Sequence, residues 1–350
     1  MIAGMPRLRN AIVVAALTVS VATQLLFLLL IYGPALPLLM MLSNGAHFLP
    51  WAGGVALIVL AALHPQKWAR GWIAASALLW LVTCVWLTVN RSNAWTAPPT
   101  DNGQTVGPIR IISFNAWLAL HDPEAAARWV MEQKADVVIL MEVGWRSRVL
   151  LTQLALHYPY VVTCRGSRAC STVILSRRMP TEMRGLAKGD ADNRRGLSAA
   201  MMRFPDYTLV AVHLSQPWPM AKQQEELALL RDALRGIPRH HLVVAGDYNA
   251  TAWSMTMRDA ASSLRLKIVA PDEAASWPAP ASKLPLPTLF DLDHVLLGTG
   301  WRAARMQRGP ALGSDHYPYV ITLGRYQPLI SAVCRRLDRA NVRAHIACYD

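Results

Sequence analysis

The chain has 350 residues, 53% of them hydrophobic, and a mean hydropathy of +0.24, too apolar for a wholly soluble protein. Its formal charge is +13, and no Asp or Glu precedes Asp101, so a membrane piece followed by a basic soluble piece is expected. Such a basic surface suits an anionic partner: nucleic acid, phospholipid head groups or phosphorylated small molecules.

Ala11 to Tyr32 is an apolar run of the roughly 20 residues that cross a bilayer. More hydrophobic sequence follows it rather than a small-residue cleavage site, which argues against a removed signal peptide. Second and third runs cover Phe48 to Leu63 and Gly71 to Val89. Ala35 to Leu42, too short to span, reads as an extension of the first helix or an interfacial piece. Arg7 and Arg9 precede the first span, the next loop is uncharged, and Lys67 with Arg70 separates the second from the third. With three spans and those charges inside, everything after Arg91 is expected outside the cytoplasm; with only two spans the soluble domain is cytoplasmic. Residues 1–90 are thus a membrane segment and 91–108 a Pro- and Gly-containing tether.

In the domain expected over 109–325, Ile109 to Phe114 reads as a strand ending at Asn115, Pro123 to Lys134 as a helix, and Asp136 to Met141 as a strand ending at Glu142. Trp145 to Leu156 reads as helix, and Tyr160 to Thr163, Thr172 to Leu175 and Leu197 to Arg203 as strands. Tyr207 to Leu214 is a strand carrying His213 near its end, and Met220 to Arg235 an amphipathic helix. Leu242 to Ala245 is a strand buried on both faces that stops at Gly246, with Asp247 and Asn249 just beyond. Residues two apart on an extended chain point the same way, so this acid and amide address one target; an ordinary strand-to-turn exit is the alternative. Asp291 to Leu297 and Gly313 to Tyr319 follow, the latter leading into the strand Tyr319 to Leu323. Strands outnumber helices and include hairpin-like pairs, favouring a sheet sandwich with outer helices over a doubly wound sheet. Residues 326–350 are a basic tail. Cys164 with Cys170, and Cys334 with Cys348, are spaced to close small loops in an oxidising compartment, four unrelated buried thiols being the alternative, and no cysteine spacing suits structural zinc.

The strand ends collect Asn115, Glu142, His213, Asp247, Asn249, Asp293, Asp315 and His316. Carboxylates and amides without thiolates are what a hard cation wants, with Glu142 the leading direct ligand. Asp293 or Asp315 can orient His316. Trp218 and Trp277 are rim aromatics for stacking a base or lying against lipid, or simply pack. Asp291 and His294 read as structural, and His121, His157, His240 and His241 as surface or turn residues.

The series Ile-Ile-Ser-Phe-Asn115, Asp-Val-Val-Ile-Leu-Met-Glu142, His213-Leu-Ser, Gly-Asp247-Tyr-Asn249-Ala-Thr, Leu-Asp293-His-Val and Gly-Ser-Asp315-His316 resembles the endonuclease/exonuclease/phosphatase superfamily from Ile109 to about Leu323. It is most similar to bacterial members with amino-terminal spans and an extracytoplasmic catalytic domain. The resemblance implies an α/β (α+β) four-layer sandwich of two mixed sheets flanked by helices, and metal-dependent hydrolysis of a phosphoester. It implies magnesium, with manganese possible, at Glu142, supported by Asn115 and Asp315. Asp247 and Asn249 orient the nucleophile and a phosphate oxygen, His316 held by Asp293 acts as base or transition-state stabiliser, and His213 donates to a phosphate oxygen. Substrate contacts are expected from His213, Asn249 and Trp218. The expected partners are the bilayer and a phosphodiester, nucleic acid slightly ahead of a lipid head group; no protein partner is inferred. A sugar or inositol phosphatase and a catalytically silent tethered module are the alternatives, and a bacterial inner-membrane location is expected.

Overall fold

The computed structural model describes residues 6–34, 36–63, 67–93, 105–164, 170–186, 196–218, 220–269 and 275–326. Cys334, Cys348 and the basic tail lie outside these residues, as does most of the tether.

The amino-terminal helices are α1 (Pro6–Tyr32), α2 (Pro37–Leu42), α3 (Leu49–Ala62) and α4 (Lys67–Asn93), with a 3-10 turn over Ser43–Phe48. Three stretches, Pro6–Tyr32, Leu38–Ala62 and Ala69–Leu87, are long and apolar enough to cross a membrane. Residues 35–42, expected as an extension of α1 or an interfacial piece, hold a helix of their own, because Gly33 and Pro34 break the chain after α1. Buried polar groups join the helices: Ser20 and Ser76 share a hydroxyl hydrogen bond of 2.7 Å, and Gln24 Nε2 donates to Ser76 Oγ at 3.3 Å. Trp80 Nε1 donates to the Pro50 carbonyl at 2.8 Å.

Beyond them, β1 (Thr105–Asn115), α5 (Pro123–Glu132), β2 (Val137–Met141), α6 (Arg148–Ala155), β3 (Tyr160–Thr163) and β4 (Val173–Ser176) come first. They are followed by β5 (Glu182–Gly185), β6 (Ser198–Arg203), β7 (Thr208–His213), α7 (Met220–Ala233), β8 (Leu242–Asp247) and α8 (Met255–Leu264). The chain continues through β9 (Lys267–Ile268), β10 (Asp293–Leu297), β11 (Trp301–Arg308) and β12 (Tyr319–Tyr326). They form two six-stranded sheets, ordered β11-β12-β1-β2-β4-β3 and β5-β6-β7-β8-β10-β9. Each sheet is antiparallel except for one central parallel pair, β1 with β2 and β7 with β8.

Apolar runs in the central strands follow from burial on both sides. Ile111, Ile139, Met141, Leu209, Ala211, Val243, Ala245 and Val295 meet between the sheets. The opposite faces lie under helices: Ile112, Phe114, Val138 and Leu140 pack with Ala127 and Val130 of α5 and Leu150 and Leu154 of α6. Val210, Val212 and Val244 pack with Leu227 and Leu230 of α7 and Met257 and Ala260 of α8. The result is the expected four-layer sandwich.

Several boundaries differ from expectation. Strand β1 reaches back to Thr105, into the expected tether, because it pairs with β12; Gly107 and Pro108 fall where the register shifts, as Pro in a strand requires. Strand β8 runs through Gly246 to Asp247 instead of stopping. A Cβ on Gly246, at φ +146°, would land on the Val212 carbonyl oxygen, so glycine permits the close approach of β7.

Candidate active site

Strand register assembles the site. His213 pairs with Asp247 across β7 and β8, and Asp247 pairs with Asp293 across β8 and β10, so three polar residues stand in a row at one edge. In the other sheet Asn115 ends β1 beside Met141, the residue before Glu142. The two edges face each other, and Asn115 joins them: its Nδ2 donates to Glu142 Oε1 at 3.0 Å and to Asp247 Oδ2 at 2.9 Å. Its own amide oxygen accepts from Trp117 N at 3.0 Å, so Asn115 clamps two carboxylates and does not present its oxygen outward. Trp117, Glu142 and Asn249 all adopt positive φ, at 57°, 53° and 48°, a strain of about 1–3 kcal/mol each for non-glycine residues that clusters at functional sites.

Asp247 is buried. Its Oδ1 accepts from Asn249 N at 2.7 Å, and its Oδ2 lies 3.7 Å from His316 Nε2 and 3.9 Å from His213 Nε2. Burial raises its carboxyl to about 6, Asp293 adding to the effect and His316 opposing it. His316 Nδ1 meets Asp293 Oδ2 at 2.8 Å. Burial by itself lowers the imidazole, but Asp293 and Asp247 outweigh it and carry His316 to about 10. Asp293, which burial would raise, is held below the usual carboxylate range by His316. The turn before His316 is pinned to β1: Ser314 Oγ donates to the Asn115 carbonyl at 2.7 Å and accepts from His316 N at 3.0 Å.

His213 Nδ1 is 3.1 Å from Ser171 Oγ, and its Nε2 is 3.7 Å from Glu142 Oε1. Asn249 Nδ2 donates to Leu214 O at 2.8 Å and lies 3.5 Å from His213 Nε2. Asp315 is half-buried; Trp277 Nε1 donates to its Oδ2 at 3.4 Å, while its Oδ1 is buried without a partner. Burial and the Glu142 carboxylate hold Asp315 above its ordinary range, against the pull of His316.

Seven of the eight strand-end residues are therefore linked directly, and Asp315 adjoins them through its charge coupling to Glu142 and His316. Trp218 stands apart, 67% exposed on the loop between β7 and α7. His294, expected to be structural, places Nε2 2.7 Å from the Ala250 carbonyl; His121, His157 and His240 are exposed.

Sequence reasoning missed Ser171 and Gln223. Buried Gln223 donates to the carbonyls of Ser215 and Tyr248 at 2.9 Å and of Asn249 at 3.2 Å. It lies inside a helix with no motif to mark it. Glu226, one turn on, accepts from Ser215 N and Oγ, both at 2.6 Å.

Residues 112–316 match the model of the Endonuclease/Exonuclease/phosphatase family. The chain belongs to this family. Members of the endonuclease/exonuclease/phosphatase family are phosphoester hydrolases that depend on a divalent metal. Among solved structures, a beta toxin variant from Staphylococcus aureus with bound magnesium ions is 14% identical, covers 63% of this chain and 100% of its own, and gives a TM-score of 0.51. A family protein from Bacteroides thetaiotaomicron is 13% identical, with 64% and 100% coverage and a TM-score of 0.51. Sphingomyelinase C from Streptomyces griseocarneus is 17% identical, with 62% and 99% coverage and a TM-score of 0.47. At such identities the first two likenesses, with TM-scores of 0.51, establish the fold alone. No curated protein matches the sequence.

The residues fit a hard cation. Glu142, His213 and Asp247 offer ligand atoms within 4.8 Å of one another, as do Asp247, Asp293 and His316. The unpartnered oxygen of Asp315, and its unfavourable charge interaction with Glu142, which His316 offsets, suit a cation.

Proposed function

We propose that this protein is a membrane-anchored hydrolase that cleaves a phosphodiester with a magnesium or manganese ion, its catalytic domain facing away from the cytoplasm. The observation that carries the reading is buried Asp247, shared by Asn115 and Asn249 and approached by His316 and His213 on one side.

Glu142 and Asp315 hold the ion in this reading, and Asn115 fixes Glu142. When bound, the ion neutralises charge on the phosphoryl oxygens and activates a water. Asp247, ionised at neutral pH because its raised value is still only about 6, takes a proton from the attacking water. His316 stays an imidazolium to about pH 10, so it serves as a cationic donor to a phosphate oxygen rather than as a base. Asp293 fixes its tautomer and orientation through Nδ1. His213, oriented by Ser171, and Asn249 add donors on the far side of the phosphoryl group.

For the orientation, the support is the charge pattern of Arg7, Arg9, Lys67 and Arg70 and the disulfide Cys164–Cys170, which favours an oxidising compartment. The carboxyl-terminal ends of α1 and α4 also meet near the catalytic domain: Trp86 packs on Phe27 and Tyr32 and its ring lies 6.5 Å from that of Trp253.

That docking favours a lipid head group over nucleic acid as substrate, since it holds the domain beside the bilayer, whereas the basic charge of the chain favours nucleic acid. Full-length protein offered DNA, RNA and phospholipid vesicles with magnesium separates them. Head-group release alone supports the lipid reading, strand cleavage alone makes the protein a tethered nuclease, and activity on neither removes the phosphodiesterase reading.

A further inference from the structure

Residues 43–48, the 3-10 turn between α2 and α3, lie against the loop that follows β8. Asn44 Oδ1 accepts from Thr251 N at 2.8 Å, and the Asn44 carbonyl accepts from Thr251 Oγ1 at 3.1 Å. Ser43 Oγ accepts from Met255 N at 2.8 Å, satisfying a free amide in the first turn of α8. Arg258, in that same turn, donates to the Ile31 carbonyl at 2.8 Å and the Leu30 carbonyl at 3.3 Å at the end of α1. Phe48 meets Phe290 edge-on at 5.6 Å. Ser43 and Thr251 are fully buried, so the Ser43–Met255 bond is made out of water's reach, and Asn44 is half-buried between them and the loop.

The other side of the loop is the catalytic cluster. Asn249, two residues before Thr251, stands in the left-handed region at φ 48° with its amide on Asp247 and its side chain beside His213. A loop of strained backbone keeps such a geometry only where its surroundings fix it. Gln223 does so from α7, His294 from β10, and Asn44 from the membrane segment.

We infer that Asn44 is a positioning residue for the active site: the turn between α2 and α3 fixes the 249–255 loop, so that the catalytic geometry is complete only when the amino-terminal helices are docked. This rests on the phosphodiesterase reading, since Asn44 acts through Asn249 and Asp247. The membrane segment is then part of the enzyme's working structure as well as its tether.

The test uses the full chain in lipid nanodiscs, comparing wild type, Asn44→Ala and Asn44→Asp, with Ser20→Ala inside the bundle as control. A chromogenic phosphodiester with magnesium reads kcat and KM, and amide hydrogen exchange reads residues 248–258. Asn44→Ala is expected to lower kcat about 10- to 100-fold with KM nearly unchanged, and to speed exchange in 248–258 about 5-fold or more. Asn44→Asp keeps an oxygen acceptor for Thr251 N and is expected to restore both; Ser20→Ala leaves kcat and the 248–258 exchange at wild-type values. Unchanged kcat in Asn44→Ala overturns the inference while leaving the hydrolase reading intact, as does a loss that Asn44→Asp does not rescue. An inactive wild type, by contrast, removes the hydrolase reading and the inference with it, whatever the exchange rates show.

Discussion

His316 sits within reach of Asp293 and Asp247, both buried, and its behaviour is the sharpest consequence of the site's chemistry. In the metal-free protein its pKa rises from an ordinary 6.5 to about 10. A raised imidazole stabilises the fold fully below the unfolded value and loses that contribution as pH climbs through the folded one. Thermal stability of the metal-free protein is therefore expected to fall between pH 6.5 and 10, and His316→Gln to flatten that slope, as melting curves across the range would show. In turnover, His316→Ala is expected to cost about 100- to 10,000-fold in kcat. For Glu142→Gln the expectation is loss of most of the magnesium-induced rise in melting temperature, measured by scanning calorimetry; an undiminished rise would place the ion elsewhere. The residues of this cluster were legible in sequence because each is a polar side chain near one end of an apolar strand: Asn115, His213 and Asp247 close strands, Asp293 opens β10, and Asp315 and His316 precede β12. What could not be read was their division of labour. That Asn115 spends its amide on Glu142 and Asp247, or that Gln223 gathers three carbonyls, depends on which way a side chain turns once the sheets meet.

At the scale of elements, the central strands β1, β2, β7 and β8 announced themselves through unbroken apolar runs, because helices cover their outer faces and the facing sheet their inner ones. Of the elements without that double burial, the edge strand β3 and helices α5, α6 and α7 were read, and others were silent. Strand β11, with Arg302, Arg305 and Arg308, lies at a sheet edge, where a basic strand protects against edge pairing but shows no hydrophobic alternation. Helix α8 was missed as well: its capping Ser254, which accepts from Met257 N at 3.1 Å, opens a short helix of only ten residues. Two substitutions test the packing account. Ile139→Ala, fully buried between the sheets, is expected to lower stability by about 2–5 kcal/mol in denaturant titration. Gly246→Ala forces a Cβ onto the Val212 carbonyl and should part β7 from β8 just where His213 and Asp247 pair. Activity is then lost together with about 1–3 kcal/mol of stability, whereas a substitution neutral in both would show that the close approach is dispensable.

For the molecule as a whole, the sandwich order pairs two similar sheets so that their ends converge on one edge, and the membrane helices dock beside that edge through Ser43, Asn44 and Arg258. The helices long and apolar enough to span were plain from hydropathy, but the docking was not, since its partners lie about 200 residues apart, as with Asn44 and Thr251, 207 residues apart. The central claim is that Glu142, Asp247 and His316 form a divalent-metal phosphoesterase site. Its most direct test is hydrolysis of a chromogenic phosphodiester by the full-length protein in detergent, with magnesium, with chelator, and with Glu142→Gln and His316→Ala in parallel. Turnover that requires the metal and falls at least about 100-fold in both variants is the predicted result. Turnover that survives the chelator, or that both folded variants retain, would contradict it.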